Sequence, residues 1–123
     1  MISLEHVYYR FPDTESCVRH LEQTIWQGNP VCPYCRSDRY TPMPKERRYH
    51  CNACNRSYSV TVNTLFHKSR IDLQKWFYVF LLLVHSEEEI SARTLAADLN
   101  INKNSAWFML RRIRQALEEG FSL

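Results

Sequence analysis

Two pairs of cysteines constrain the fold of this chain more than any other feature of its sequence. Two residues separate the members of each pair and fifteen separate the pairs, which consist of Cys32, Cys35, Cys51 and Cys54. Two intervening residues let one turn of backbone present both sulfurs to a single ion, and a second such turn completes a closed tetrahedron of thiolates. We therefore predict that these four cysteines bind one structural Zn²⁺ ion, with no open coordination position for catalysis.

Other chemistries of paired cysteines fit this pattern less well. Neither a redox Cys-x-x-Cys pair nor an iron–sulfur site requires this duplicated arrangement inside a segment of short strands. His50 adjoins Cys51 and competes as a ligand by proximity alone, although four cysteines already suffice. The fifth cysteine, Cys17, falls on the apolar face of a predicted helix, where we interpret it as a small buried hydrophobe.

Composition predicts a globular protein of the cytoplasm. The 123 residues are 45% hydrophobic and include only two glycines. The longest apolar run, residues 76–84, is nine residues long, whereas a membrane helix needs about 20. The N-terminus lacks the basic start and apolar core of a signal peptide. We expect no membrane partner and a reducing compartment, in which paired cysteines favour metal over disulfides.

Local signals divide the chain into three expected segments, which are an N-terminal helix within 1–30, a zinc ribbon over 31–66 and a helical unit over 67–123. In the first, Asp13 is a suitable cap for a helix that runs to about Gln27 and ends at a Gly-Asn-Pro sequence. In the second, two proline residues and an alternating β-branched run at 58–62 favour short strands around the cysteine turns.

Three helices are predicted in the last segment. Apolar spacing starts the first near Leu73, and Ser91 can cap the second. Asn100 tolerates a left-handed turn before a third helix over about 103–119, which gives the helix-turn-helix pattern. The predicted fold class is therefore α+β, with an N-terminal helix, a four-cysteine zinc ribbon of short antiparallel strands and a three-helix unit that contains a helix-turn-helix.

The last predicted helix has an apolar face and an opposite face suited to reading DNA. At about 100° per residue, the outward positions are Asn104, Phe108, Arg111 and Gln115. Asparagine and glutamine can bond adenine, arginine can bond guanine, and an apolar ring can touch a thymine methyl group. Two alternatives remain open, namely an ordinary amphipathic helix whose polar face meets water, and docking of Phe108 on another domain.

Positive charge is concentrated around the cysteines. Residues 36–56 contain six basic and two acidic residues, a net charge of +4, while the whole chain carries +3. Such a segment favours a polyanionic partner, although arginines in water are the simpler explanation. We predict double-stranded DNA as the partner. The expected phosphate contacts are Lys103, Ser105 and Arg112 of the last helix and Arg36, Arg47, Arg48 and Arg56 of the ribbon.

The order of these parts resembles a known family. A capped helix with Trp26 and Gly28 precedes Cys-Pro-x-Cys, and the second cysteine pair is followed by Thr64-Leu65-Phe66. Trp76-Phe77 and a helix-turn-helix ending in Ala106-Trp107, Met109-Leu110 and Ile113-Arg114 come after them. This arrangement is similar to the N-terminal region of bacterial insertion-sequence transposases of the DDE, RNase-H-like type, which pair a zinc ribbon with a helix-turn-helix.

The resemblance implies binding to the DNA ends of a mobile element. In such transposases a downstream RNase-H-like domain cuts the strands, and the chain ends at Leu123 without room for it. We therefore expect no catalytic residues and no enzymatic activity in this chain alone, with a catalytic transposase domain or subunit as a further partner. The alternatives are a protein-interaction module and a non-catalytic partner or remnant of a split transposase. An oligomer remains open.

Two positions depart from the family pattern. Arg36 stands where a glycine often follows the second cysteine, and Asn63 stands where a glycine often precedes the Thr-x-Phe element. Asparagine tolerates a left-handed backbone better than most residues, so Asn63 is the milder departure. Arg36 is the position at which the turn of the first cysteine pair is hardest to predict.

Overall fold

The computed structural model describes residues 3–67, 69–85 and 89–123, and it confirms an α+β fold. Within these residues the chain forms five α-helices, one short 3-10 helix and a three-stranded antiparallel sheet. The helices are α1 (Leu4–Arg10), α2 (Thr14–Trp26), α3 (Leu73–His85), α4 (Ala92–Leu99) and α5 (Lys103–Glu118), the 3-10 helix is Pro44–Glu46, and the strands are β1 (Tyr40–Met43), β2 (Arg48–Cys51) and β3 (Ser57–Tyr58). None of the described helices is both long and apolar enough to cross a bilayer.

Two compact units make up the chain. The helical unit comprises Met1–Pro12 and Ile71–Ser122 in their described parts, and the ribbon unit comprises Asp13–Arg70. The bounds of the three expected segments stay a prediction, and the two units group the N-terminal part of the chain differently. Where the sequence predicts one N-terminal helix, the structure has two, with α1 in the helical unit and α2 in the ribbon unit.

Each N-terminal helix has its own cap. The Ser3 hydroxyl accepts the His6 N–H at 3.2 Å at the start of α1. At the start of α2, Asp13 and Ser16 form a reciprocal capping box, in which the Asp13 carboxylate accepts the Ser16 N–H at 2.8 Å. That bond holds the pKa of the Asp13 carboxyl below its usual value. Because α1 is only seven residues long, its periodic signal is weak, which is why only α2 is predicted from the sequence.

The ribbon unit is built on the three short strands in the order β1-β2-β3. A buried cluster of Cys32, Cys51 and Tyr58 lies at its centre, with Trp26 and Tyr49 packed against it among other side chains. The Tyr49 hydroxyl donates to the Glu22 carboxylate at 2.6 Å, and the Trp26 and Tyr49 rings meet edge to face with centroids 5.6 Å apart. These contacts fix α2 on the sheet beside the cysteines.

The third strand is shorter than its sequence suggests. The ladder between β2 and β3 ends at the Tyr49–Tyr58 pair, so the alternating run 58–62 contributes only its first residue to the sheet. Beyond it the chain turns, because the N–H of Val62 donates to the Ser59 carbonyl at 3.2 Å. Pro42 lies in β1, which is an edge strand and therefore tolerates a residue without an N–H.

The helical unit buries one face of each of its longer helices. In α3 the buried side chains include Trp76, Phe77 and Phe80; α1 and α5 pack against α3, and α4 packs against α5. The Phe11 ring meets Phe77 edge to face at 5.0 Å, and Phe121 meets Phe80 in the same way at 5.7 Å. The unit therefore has an apolar core of its own on which α4 and α5 are positioned.

The turn between α4 and α5 is closed by backbone bonds. Asn100 adopts the left-handed conformation expected from the sequence, with φ 55°. The N–H of Ile101 donates to the Ala96 carbonyl at 3.0 Å, and that of Asn100 to the Ala97 carbonyl at 3.4 Å, which is the Schellman pattern. Asn102 then caps α5 by accepting the Ser105 N–H at 2.7 Å. A helix, a tight turn and a second helix thus occupy the predicted place.

Candidate metal centre and nucleic-acid interface

The four predicted cysteines come together at one point of the ribbon unit. Their sulfur atoms all lie within 4.8 Å of one another, with 3.7 Å between Cys32 and Cys54 and 3.5 Å between Cys35 and Cys51. A disulfide needs about 2.05 Å between its sulfurs, so these pairs are not disulfides. Four Zn–S bonds of about 2.3 Å at tetrahedral angles would place the sulfurs about 3.8 Å apart.

Two backbone turns of the same design deliver these sulfurs. In the first knuckle (32–37) the N–H of Arg36 donates to the Cys32 carbonyl at 2.9 Å, and the Cys32 N–H donates to the Ser37 carbonyl at 3.0 Å. In the second knuckle (51–56) Asn55 makes the corresponding bond to Cys51 at 2.9 Å, and Cys51 donates to Arg56 at 2.8 Å. Both cysteine pairs therefore have two intervening residues because both belong to the same kind of hydrogen-bonded turn.

The residue after each pair has a left-handed backbone. The φ angle is 67° at Arg36 and 63° at Asn55, and Asn63 near the Thr-x-Phe element has φ 64°. This conformation explains why glycine suits these positions, since glycine adopts it without steric cost. Asparagine is the next most tolerant residue, whereas arginine is not.

Hydrogen bonds prepare the sulfurs unequally for metal binding. The N–H of Cys54 approaches the Cys51 sulfur at 3.5 Å and, with smaller effects from its neighbours, lowers the pKa of the Cys51 thiol to about 6. At Cys35 the Ser37 N–H favours the thiolate, but sharing a proton with Cys51 and partial loss of solvation raise the pKa of the Cys35 thiol to about 12. All four ligands must be thiolates in a zinc site, so zinc uptake releases protons.

The donor set fits a structural zinc ion. Four thiolates in a closed cluster are a standard structural set, and no fifth protein ligand is needed. Among the described residues, one group of histidine, carboxylate or cysteine side chains is close enough together to hold a metal, and it consists of these four cysteines. His50 is not in that cluster, and Cys17 is fully buried in α2 apart from it. The four cysteines thus bind structural zinc.

The outward face of α5 carries two aromatic rings in the open. Trp107 is 55% exposed and Phe108 is 45% exposed, while Ala106, Met109 and Ile113 are buried beneath them. The Arg111 guanidinium lies 5.3 Å from the centre of the Trp107 ring, and that of Arg112 lies 5.0 Å from the centre of the Phe108 ring. Such cation–π stacking limits the rotamers of both arginines.

The remaining predicted positions on α5 lie where the wheel places them. Lys103 and Asn104 are exposed in the first turn, Ser105 is half-buried and donates its N–H to the cap, and Gln115 is exposed with its amide 3.5 Å from Glu119. Trp107 and Arg114 are not among the predicted contacts, yet they line a shallow groove of about 470 Å³ on this face together with Leu110, Arg111, Gln115 and Glu118. The helical wheel places Trp107 beside the outward face, so its sequence position alone could have identified it as part of this surface.

The four ribbon arginines differ in what they touch. Arg36 and Arg47 are exposed and have left-handed backbones. The guanidinium of Arg56 stacks on the Tyr34 ring at 4.8 Å. Arg48 is half-buried, and its guanidinium donates to the carbonyl and hydroxyl of Ser57 at 3.1 and 3.2 Å, which ties β2 to β3. A DNA contact at each of these residues stays a prediction, and it is weakest at Arg48.

Replacing Arg48 should therefore affect stability first. We expect Arg48→Ala to lower the free energy of unfolding of the ribbon unit by about 1–2 kcal/mol, because the Ser57 oxygens lose a charged donor. Arg39→Ala is the matched control, since Arg39 is an exposed arginine of the same unit. Chemical denaturation of the zinc-loaded variants measures the difference. Equal stability of the two variants would show that the Arg48 bonds contribute nothing in solution.

Comparison with known proteins supports the zinc-ribbon assignment. The sequence profile of a family described as "Transposase zinc-ribbon domain" matches residues 12–57, which include α2, the sheet and all four cysteines. An uncharacterized protein in the transposable element ISH50 of Halobacterium salinarum is 28% identical over 101 residues. That alignment covers 80% of this chain and 34% of the relative, so the chain spans about a third of the relative's length. No solved structure was found to match the chain.

The matched segment and the geometry agree on the same residues. The profile ends at residue 57, within the strand that closes the sheet, and so includes both knuckles. The relative's alignment is longer than the profile match, which extends the similarity beyond the ribbon. Residues 12–57 of this chain therefore match a transposase zinc-ribbon domain in sequence as well as in the geometry of its four cysteines.

Proposed function

We propose that this chain is a zinc-dependent DNA-binding module of a transposition system and that it recognises the DNA ends of a mobile element. One observation carries the proposal, which is the outward face of α5. On the second helix of a helix-turn-helix, the exposed Trp107 and Phe108 rings contact the guanidinium groups of Arg111, which is exposed, and Arg112, which is half-buried. The second helix of such a motif enters the major groove of duplex DNA.

The residues of this face suit different parts of duplex DNA. The Arg111 guanidinium lies on the Trp107 ring and has the paired donors that suit the two acceptors of guanine, and Phe108 suits a thymine methyl group. Asn104 and Gln115 add amides that can bond adenine. Lys103 lies at the N-terminus of α5, where its charge and the helix dipole both favour phosphate. Readout of bases and anchoring to phosphates thus divide between neighbouring positions.

The ribbon adds charge rather than base readout in this proposal. The segment 36–56 carries a net charge of +4, and Arg36, Arg47 and Arg56 lie at its surface. Contacts from these arginines to phosphates are independent of sequence and raise affinity for any duplex. Because zinc holds both knuckles, the ribbon contribution should require the metal.

Strand cleavage is not part of the proposed role. The zinc site is closed by four thiolates, which leaves the ion no position for substrate. The chemistry of transposition would belong to a catalytic transposase domain or subunit acting with this chain. A protein-interaction module is the second candidate, because Trp107 and Phe108 are apolar as well as exposed.

Selection of bound sequences from random duplex DNA, with zinc-loaded protein, tests the proposal directly. We expect a preferred sequence to emerge and to occur at the ends of the element that encodes the chain. A preferred sequence elsewhere would support DNA binding but not end recognition. Enrichment of no sequence, together with no band shift at low salt, would favour the protein-interaction module.

Exchange of Arg111 tests which residue reads bases. We expect Arg111→Ala to weaken binding to the selected site by about 1–3 kcal/mol and to relax the preference at one base pair. The neighbouring Arg112→Ala should weaken binding to all sequences about equally, since we place Arg112 on phosphate. Competition titrations with single-base variants of the site measure both effects. An unchanged preference in Arg111→Ala would exclude this side chain from base readout.

A further inference from the structure

A groove beside the first knuckle has no role so far. It encloses about 400 Å³ and is formed by the end of α2, the first knuckle and the loop after β3. Its lining residues are Ile25, Trp26, Gln27, Val31, Cys32, Pro33, Arg36, Ser59, Val60, Val62, Asn63 and Thr64. Among these described residues Arg36 is the one ionised side chain outside the metal ligands, and none is acidic. We call this surface the knuckle groove.

Three residues of the knuckle groove have left-handed backbones without being glycine. They are Gln27, Arg36 and Asn63, with φ of 51°, 67° and 64°. Arg36 is the most informative, because the second knuckle has Asn55 at the corresponding place, with the same backbone bond and a φ of 63°. The turn itself therefore accepts a small tolerant residue, and nothing in its geometry calls for a long cationic one.

Contacts of the Arg36 side chain within the protein do not offset the energetic cost of its left-handed backbone. In the described parts of the chain, no hydrogen bond, ion pair or ring contact engages its guanidinium. Arg48 and Arg56 of the same unit are engaged, by Ser57 and Tyr34 respectively. The knuckle needs the left-handed conformation but not an arginine, and residues held in unfavourable backbone conformations are concentrated at functional sites. The exposed guanidinium is thus available to something outside the chain.

We propose that the knuckle groove binds a phosphate group of the DNA backbone, with the Arg36 guanidinium as its cationic ligand. A planar guanidinium can form two parallel bonds to phosphate oxygens. Asn63 lines the same groove, and its side-chain amide is a second possible donor to a phosphate oxygen. This site is distinct from the outward face of α5, and it rests on the proposed DNA-binding function. The proposal thus gives the ribbon one specific contact with DNA, in addition to the general attraction of its net positive charge.

A rival explanation involves the zinc ion. Four thiolates and one Zn²⁺ carry two net negative charges, and Cys32 is both a ligand and a lining residue of the groove. Arg36 would then serve to offset that charge, and its loss would weaken zinc binding. The two explanations differ in what they predict for zinc retention and for DNA binding, so one set of variants separates them.

Arg36→Gly is the central variant, and it should change stability and DNA binding in opposite directions. Glycine relieves the left-handed backbone, so we expect thermal stability equal to or above that of the parent. For a mixed-sequence duplex of about 30 base pairs, we expect roughly five- to tenfold weaker binding at about 0.1 M salt. The slope of log K against log salt should be shallower by about 0.9, the effect of one lost phosphate contact.

Two matched variants serve as controls. Asn55→Gly makes the same backbone change in the second knuckle without loss of charge, and it should leave affinity and salt slope unchanged. Arg36→Lys keeps the positive charge and still places a non-glycine residue on the left-handed backbone, so the salt slope should equal that of the parent. Zinc retention against a chelator, measured for all three variants, should equal that of the parent.

Each contrary outcome has a defined meaning. A parental slope and affinity in Arg36→Gly, with steep salt dependence in the parent, would overturn the phosphate site but not the proposed function. Faster zinc loss in Arg36→Gly would assign the arginine to the metal centre. Lower stability would show that the side chain supports the fold. Absence of duplex binding by the parent would overturn both the proposed function and this site.

Discussion

Removal of zinc is expected to unfold the ribbon unit while leaving the helical unit folded. Chelation should abolish amide protection in the three strands and in both knuckles, and should release α2 from its contacts with the sheet. The amides of α4 and α5 should remain protected. Hydrogen exchange followed by mass spectrometry, with and without chelator, measures these segments separately.

The magnitudes favour this outcome. Structural zinc contributes on the order of 10–16 kcal/mol at neutral pH in small zinc-binding peptides. The buried cluster around the knuckles consists of Cys32, Cys51 and Tyr58, and two of these three are zinc ligands. Burial of one large side chain such as Tyr58 contributes only about 1.5–3 kcal/mol. Without zinc, this part of the unit has too little buried apolar surface to offset the conformational entropy of its loops.

Substitution of one ligand should have the same effect as chelation. Cys51→Ser removes a fully buried ligand, whereas Cys17→Ala changes a fully buried cysteine outside the cluster. We expect loss of bound zinc only in Cys51→Ser, with a ratio near one ion per chain in the parent and in Cys17→Ala. Strand protection in the zinc-free protein would contradict the structural role of the metal. Loss of protection in α4 and α5 as well would show that the whole chain unfolds as one.

The zinc site was predictable because its geometry is local. Each pair of cysteines lies within one six-residue knuckle, and the backbone bonds of that knuckle follow from the two-residue spacing. The helix-turn-helix was predictable for the same reason, since Ser91, Asn100 and Asn102 stop and start helices through bonds to residues three to five positions away. Such signals are complete within a short window of sequence.

Features that depend on distant partners were not predictable. The run 58–62 has strong strand propensity, but its ladder with β2 stops at Tyr58, and the chain turns through the bond from the Val62 N–H to the Ser59 carbonyl. The role of Arg48 is set by Ser57, nine residues away on the next strand. Arg36 was the more severe of the two departures from the family pattern, and its left-handed conformation required the structure. This departure marks the position at which we propose a phosphate site.

Affinity for duplex DNA should fall steeply as salt is added. The sequence predicts six cations on phosphates, and because the Ser57 oxygens hold Arg48 we expect five or six to act. Counterion release then gives a log–log slope of about −4.5 to −5.4. Between about 50 and 200 mM salt, binding should weaken roughly a thousandfold. Fluorescence anisotropy titrations with a mixed-sequence duplex provide the slope.

The two groups of cations can be separated by metal removal. If the ribbon supplies Arg36, Arg47 and Arg56, the zinc-free protein should lose about three contacts, and its slope should become shallower by about 2.7. Lys103 and Arg112 belong to the helical unit and should retain their share. An unchanged slope after chelation would place all phosphate contacts on α5. A flat salt response of the zinc-loaded protein would remove the electrostatic basis of the proposed function, because phosphate contacts cannot form without releasing counterions.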